Sequence, residues 1–138
     1  MENNKKLEQM IAELNQLQQQ GEAIANQVEQ LNLSLTDIKS ASEALKGIEG
    51  SVGKELLIPV GAGCFINAEL KSEDIIVGVG AEVAVKKSRE ETVEKLEKET
   101  KEVQELITTL TNQLDKINEM IATQRPEAER LMRESGLQ

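Results

Sequence analysis

Aromatic residues are almost missing from this chain of 138 residues, which has one Phe, no Tyr and no Trp. A compact globule of this length normally buries several large aromatic side chains in its core. Histidine is absent as well, which removes the commonest general base and the commonest metal ligand. The single cysteine, Cys64, cannot form an internal disulfide. The composition therefore favours an elongated protein, and we expect no catalytic residue, no metal and no cofactor.

Basic residues are in the minority, with 16 Lys and Arg against 25 Asp and Glu and a formal net charge of −9. Nucleic-acid binding needs clustered cations, so nucleic acid is not an expected partner. The sequence also lacks a charged start followed by an apolar core, as in a signal peptide, and any apolar run long enough to cross a membrane. We expect a soluble, cytoplasmic protein without a membrane partner.

The first flank, residues 5–47, repeats apolar residues at steps of three and four. A spacing of 3.5 sustained over about six heptads is typical of a coiled-coil seam, since only supercoiled helices keep such a stripe facing one partner. Only Gly21 and Ser42 interrupt the series. The predicted seam positions are Leu7, Met10, Leu14, Leu17, Gly21, Ile24, Val28, Leu31, Leu35, Ile38, Ser42 and Leu45.

The second flank, residues 88–135, repeats this pattern with Thr100 and Gln124 as its polar exceptions. Its start is marked by Ser88 and Glu91, which have the spacing of a helix capping box. The sequence therefore predicts a second long helix. Its seam positions are Val93, Leu96, Thr100, Val103, Ile107, Leu110, Leu114, Ile117, Ile121, Gln124, Ala128 and Leu131.

The two flanks have matched lengths, about 60 Å each at the standard rise per residue of a helix. Matched helices joined by a middle segment can fold back into one antiparallel hairpin that buries both seams within a single chain. Pro126 lies inside the second flank, where it removes a helical donor. We therefore expect the helix to kink or restart there, and the tail from Glu127 to fray.

The middle segment, residues 54–87, changes to period two and to short apolar runs separated by turn signals such as Gly61–Gly63. The predicted strands are Glu55–Val60, Cys64–Lys71, Asp74–Val79 and Glu82–Lys87. The predicted fold class is α+β, with residues 1–138 forming one domain: a long antiparallel coiled-coil hairpin whose helices are separated by a small four-stranded segment of two β-hairpins.

Short strands of this kind cannot enclose a core, and their apolar edges are open templates for pairing with other chains. Strands from several subunits could close into a shared barrel that leaves no long free edge. The middle segment is therefore interpreted as an oligomerisation element. Its candidate oligomerisation residues are Leu56, Ile58, Val60, Phe65, Ile66, Leu70, Ile76, Val77, Val79, Val83 and Val85.

Three features could suggest chemistry, and each has a plainer explanation. The Gly61–Gly63 turn lacks the third glycine and the following helix of a dinucleotide site. Cys64 has no histidine to activate it and lies in a strand predicted to be buried, so it is interpreted as a small packing residue. The carboxylates Glu90, Glu91, Glu94 and Glu97 have basic neighbours and form a solvated face. None of these features supports an enzyme.

All four methionines, Met1, Met10, Met120 and Met132, fall near the two termini, which the predicted hairpin brings together. Taken singly, each fits an ordinary packing position. Flexible, polarizable side chains also suit surfaces that repack around varied apolar partners. Together they raise the hypothesis that the ends of the hairpin bind exposed hydrophobic segments.

The stretch "LLIPVGAGCFINAEL", followed by "IIVGVGAEVAVKKS", resembles the α class of prefoldin subunits, and the archaeal ones most. The likeness covers nearly the whole chain and includes the four strands of the α class, where the β class has two. It implies a heterohexamer of two α and four β subunits, built on a double β-barrel platform that here includes Leu56 to Val85. It also implies an ATP-independent holding chaperone that captures unfolded clients between its arm tips and passes them to a group II chaperonin.

The tip residues carry no family motif, so we assign them from geometry and side-chain type. The candidates are Leu7, Met10, Ile11, Met120, Ile121, Leu131 and Met132. Two other functions use the same elements. A structural coiled-coil adaptor would bind one folded partner and would not protect unrelated denatured proteins. A γ-type prefoldin-like protein would build homomeric filaments from its own strands without a β partner.

Overall fold

The computed structural model describes residues 2–136 and contains two long helices with four strands between them. The elements are α1 (Glu2–Gly47), β1 (Glu55–Gly61), β2 (Cys64–Glu69), β3 (Ile75–Gly80), β4 (Val83–Lys87) and α2 (Arg89–Glu134). The chain divides into two compact units. We call Met1–Ser34 with Val103–Gln138 the terminal unit, and Leu35–Glu102 the central unit. The predicted α+β fold class is confirmed.

The terminal unit pairs the first part of α1 with the last part of α2 in an antiparallel arrangement. Its core is a cluster of Leu7, Ala128 and Leu131, with Met10 and Leu14 among the residues packed against it. Gly21 is buried at its predicted seam position. The apolar stripes predicted for residues 7–31 and 103–131 are the positions shielded from solvent, which confirms the heptad assignment in this unit.

The helix α2 continues through Pro126 to Glu134, so the predicted restart and frayed tail are wrong. A proline inside a helix costs roughly 3 kcal/mol or more, because a donor is lost and the ring meets the preceding turn. Burial of a leucine side chain stabilises by about 1.5–3 kcal/mol. Leu131 is 5% exposed and packs with Ala128 against Leu7, and this burial beyond the proline offsets much of its cost.

The central unit contains two separate antiparallel hairpins, β1 with β2 and β3 with β4. Each closes through a two-residue turn in which both residues have positive φ, as in a type I′ turn. In the first turn these residues are Ala62 (51°) and Gly63 (77°), and in the second Ala81 (50°) and Glu82 (62°). Glu82 was expected to begin β4, and it lies in the turn instead. The register shift that precedes each turn marks a β-bulge.

The ends of the central unit's elements are held by local hydrogen bonds. The strand β2 ends at Glu69, two residues before the predicted Lys71. Beyond it the Leu70 N–H donates to the Lys54 carbonyl (3.1 Å). At the start of α2 the Glu91 N–H donates to Ser88 Oγ (3.1 Å), as the capping box predicts.

Candidate interaction surfaces

The first hairpin exposes apolar side chains on both of its faces. Cross-strand partners share a face, and the register pairs Ile58 with Ile66 and Pro59 with Phe65. Ile58 and Ile66 therefore lie on one face, while Phe65 lies on the other together with Leu57. Phe65 is 59% exposed and Leu57 is 67% exposed. Nothing in the described part of the chain covers either face completely.

The second hairpin has one half-buried face and one open face. Val77 pairs with Val85, and both are half-buried. Ile76, on the opposite face, is 74% exposed, the highest value among the exposed large apolar residues. Val79 and Val83, next to the turn, are also exposed. Apolar surface concentrated in this way is typical of interaction sites.

The eleven candidate oligomerisation residues therefore fall into two groups by exposure. The exposed ones are Ile58, Val60, Phe65, Ile66, Ile76, Val79 and Val83. The half-buried ones are Leu56, Leu70, Val77 and Val85. Leu57 was not among the candidates, although its position opposite Asn67 on the face of Phe65 follows from strand alternation.

Arg89, at the first position of α2, joins three parts of the central unit. Its side chain is 11% exposed. Its Nη1 donates to the Leu45 carbonyl of α1 (3.4 Å), and its Nη2 lies 3.4 Å from Glu49 Oε1. Its Nε lies 3.8 Å from Glu73 Oε1, which also accepts the Gly50 N–H (2.7 Å). The guanidinium thus connects both helix ends and the β2–β3 loop, a role that its planar array of donors allows.

A second ion pair joins the helices of the central unit. Lys46 Nζ lies 2.6 Å from Glu97 Oε1. The hydrogen bond from Lys46, and then its charge, lower the pKa of Glu97 from its ordinary value of 4.5. Both side chains are about half exposed, so the pair is open to solvent screening.

The seven candidate tip residues of the terminal unit differ in accessibility. Leu7 and Leu131 are buried in the core cluster. Met10, Ile121 and Met132 are half-buried. Ile11 is 38% exposed and Met120 is 47% exposed. Met1, the remaining methionine, lies outside the described residues. Ile11 and Met120 are therefore the candidates that an incoming apolar segment can reach most easily.

The structure also shows where the features that could have suggested catalysis or metal binding lie. Cys64 is exposed, so its predicted role as a buried packing residue is wrong when the chain is taken alone. Its strand is open on both faces, which the sequence pattern does not reveal. Among residues 2–136, no group of three or more His, Cys, Asp or Glu side chains could hold a metal ion. Within the same residues, no helix is long and apolar enough to cross a membrane.

Comparison with known proteins identifies the family. The sequence model of the family described as "Prefoldin subunit" matches residues 17–134. The chain belongs to the prefoldin family. It is 64% identical over 138 residues to the prefoldin subunit alpha of Methanosphaera stadtmanae, with all of both chains covered. It is 31% identical to the prefoldin subunit alpha of Methanobrevibacter smithii, covering 95% of this chain and 90% of that one.

A solved structure supports the fold independently. The filamentous prefoldin of Methanocaldococcus jannaschii, studied by electron cryomicroscopy, matches with a TM-score of 0.66 and 19% identity. The match covers 83% of this chain and 96% of that chain. At this identity the likeness establishes the prefoldin fold and nothing more.

The prefoldin α class predicted from the central motif is confirmed by these relatives and by the four strands between the helices. The chain is accordingly a prefoldin chaperone subunit that assembles with other prefoldin subunits, and prefoldins are not a known class of enzyme. Arg89 was missed by sequence reasoning because an arginine in the first turn of a helix opposes the helix dipole and suggests no function. Its partners become apparent only when both helix ends and the β2–β3 loop are placed.

Proposed function

We propose that this chain works in an ATP-independent holding chaperone of the cytoplasm, which captures unfolded or nascent polypeptides and delivers them to a group II chaperonin. In this proposal two copies combine with four β subunits, and the strands of different subunits close into a shared barrel. The observation that carries the proposal is the exposure of apolar side chains in two separate parts of the chain. One is the pair of hairpins in the central unit, and the other includes Ile11 and Met120 in the terminal unit.

The hairpins supply the assembly surface. Isolated two-stranded hairpins are marginally stable in water, and these two leave Phe65 and Ile76 largely uncovered. Pairing their edges with strands of other subunits would satisfy open backbone donors and acceptors. It would also bury the apolar faces, which stabilise by about 25 cal/mol for each Å² removed from water. The candidate oligomerisation residues remain the ones we assign to this interface.

The terminal unit supplies the client surface. Ile11 and Met120 offer small apolar contacts that are accessible without opening the core. Leu7 and Leu131 would reach a client only if the helix ends separated, and they support the packing of Met10 and Met132. Several such weak contacts from different subunits hold a large unfolded chain through multivalency. They also allow release without ATP when a second receptor competes for the client.

The assembly is tested by isolating the tagged chain from its own cells and measuring subunit masses by native mass spectrometry. Two copies with four of a second, smaller prefoldin subunit would support the proposal. A homomeric ladder would favour a filament-forming protein, and a single dissimilar folded partner would favour a structural adaptor. A chaperonin that binds the complex and receives labelled client from it would support the delivery step.

Client capture is tested by light scattering from a chemically denatured model protein diluted into the assembled chaperone without ATP. The double variant Ile11→Ser with Met120→Ser should weaken the suppression of aggregation while leaving the subunit masses unchanged. Leu33→Ser is a matched control, because Leu33 is an exposed apolar residue of α1 that lies outside the candidate tip residues. Unchanged suppression in the double variant would move client binding to another surface.

A further inference from the structure

A shallow groove between α1 and α2 of the terminal unit has a composition that the proposed client contacts do not explain. It is lined by Glu13, Gln16, Leu17, Gln20, Met120 and Gln124. Its volume of about 200 Å³ is smaller than the pockets of roughly 300–1,000 Å³ that enclose small-molecule ligands. The groove is therefore suited to a side chain and a short length of backbone from an extended polypeptide.

The groove lining combines an apolar contact with a glutamine whose side-chain oxygen is buried and unpaired within residues 2–136. Met120 is 47% exposed, and Leu17 is half-buried beside it in the lining. The Gln124 side-chain oxygen is buried and has no hydrogen-bond partner within residues 2–136. Buried acceptors are nearly always paired in folded proteins. The oxygen has almost no accessible surface, so an N–H group of a bound segment would pair with it only after the Gln124 side chain turns outward into the groove, while an apolar side chain of the same segment contacts Met120.

The negative charge of α1 favours bound segments that carry a positive charge. From Leu7 to Ile38 the helix contains no Lys or Arg, while it contains Glu8, Glu13, Glu22, Glu29 and Asp37. Glu13 lines the groove and forms no ion pair with any other described residue. The C-terminal part of α2 differs, because there Arg130 contacts both Glu127 and Glu134. The carboxylate of Glu13 is thus available to a cation brought by a ligand.

We propose that this groove binds extended client segments in which an apolar residue is adjacent to Lys or Arg. The apolar side chain contacts Met120 and Leu17, the cation pairs with Glu13, and a backbone N–H donates to the Gln124 oxygen once that side chain has turned outward. This inference rests on the proposed holding function and names the class of client segment that the terminal unit prefers. Because the Glu13 contact is exposed, it contributes a selectivity of about three- to fivefold in affinity.

The test uses the full-length chain in its native assembly and two fluorescent peptides with the same apolar centre, one flanked by Lys and one by Glu. Fluorescence anisotropy gives the Kd of each. We expect the Lys-flanked peptide to bind more tightly, and Glu13→Gln to weaken it about three- to fivefold with little effect on the Glu-flanked peptide. Added salt should reduce the preference, because exposed charges are screened.

Glu29→Gln is the matched control, since it makes the same charge change on the same helix away from the groove. If it weakens the Lys-flanked peptide as much as Glu13→Gln does, the preference comes from the net negative charge of the protein, and the groove assignment is overturned. Equal Kd values for the two peptides, with aggregation still suppressed, would overturn the inference and leave the proposed function standing. If the unmodified protein neither binds the peptides nor suppresses aggregation, the proposed function itself is overturned.

Discussion

The terminal unit and the central hairpins differ in how far their apolar residues are exposed to solvent. In the terminal unit the apolar stripes of two helices bury each other, and Leu7 is only 2% exposed. In the hairpins the apolar residues alternate along short strands, and Phe65 and Ile76 remain mostly exposed. A helical seam can be completed by one chain that folds back on itself. A two-stranded hairpin has two faces and two edges, so its apolar residues stay exposed in the single chain, and we propose that other subunits cover them.

The largest expected effect comes from removing the exposed apolar residues of the hairpins. The double variant Phe65→Ser with Ile76→Ser should abolish assembly, because an interface loses most of its affinity when its buried apolar anchors are removed. Sedimentation velocity should show the free chain, while circular dichroism should show unchanged helix content. Val52→Ser, at an exposed apolar residue outside the strands, is the control. An intact assembly in the double variant would contradict the assignment of these faces.

Truncating the buried core of the terminal unit should lower stability and leave assembly intact. Leu7→Ala should reduce the free energy of unfolding by about 2–4 kcal/mol, through lost burial and the cavity that remains. Urea denaturation followed by circular dichroism measures the change. Leu33→Ala, at a residue that is 62% exposed, should change stability by less than about 0.5 kcal/mol. Similar losses in both variants would mean that Leu7 is not part of a packed core.

Removing the Arg89 side chain should have a smaller but measurable effect on the free energy of unfolding. Arg89→Ala should cost about 1–2 kcal/mol, because a shielded guanidinium loses its hydrogen bond to Leu45 and its contacts with Glu49 and Glu73. Arg89→Lys should recover little of this, since an ammonium cannot reproduce the planar array of donors. Arg130→Ala removes an exposed intrahelical pair and should be nearly neutral by the same denaturation measurement.

The heptads and turn signals were sufficient to predict both helices and four strands, while the prefoldin α class was predicted from the resemblance of the central motif to that family. The heptads predicted the seam because burial in paired helices follows a fixed period, and even Gly21 lies where the spacing requires. They failed at Pro126, where packing of Ala128 and Leu131 overrides local preference. They also missed Arg89, whose partners are more than fifteen residues away along the chain. Contacts of this kind have no period, so they depend on tertiary placement.

The seam at Gly21 has room for an alanine side chain, which the seam pattern alone does not predict. A Cβ at this position would lie 3.6 Å from both Ile117 Cγ2 and Leu114 Cδ1, which is ordinary van der Waals contact. Gly21→Ala should therefore stabilise the terminal unit by about 0.5–1 kcal/mol, because alanine loses less entropy in a helix. The same change at Gly63, where φ is +77°, should destabilise the turn. Thermal unfolding of the two variants should shift in opposite directions.

The smallest expected effect concerns the exposed pair of Lys46 and Glu97 in the central unit. Lys46 lowers the folded-state pKa of Glu97, so its stabilising contribution is fully present above the unfolded value of 4.5 and is lost as pH falls through the lower folded pKa. Lys46→Met should return the pKa of Glu97 towards 4.5, as followed by NMR titration of its carboxyl carbon, with little change in stability at neutral pH. An unchanged pKa would mean that the pair does not persist in solution. The seam and the Arg89 contacts would then remain to hold the helices of this unit together.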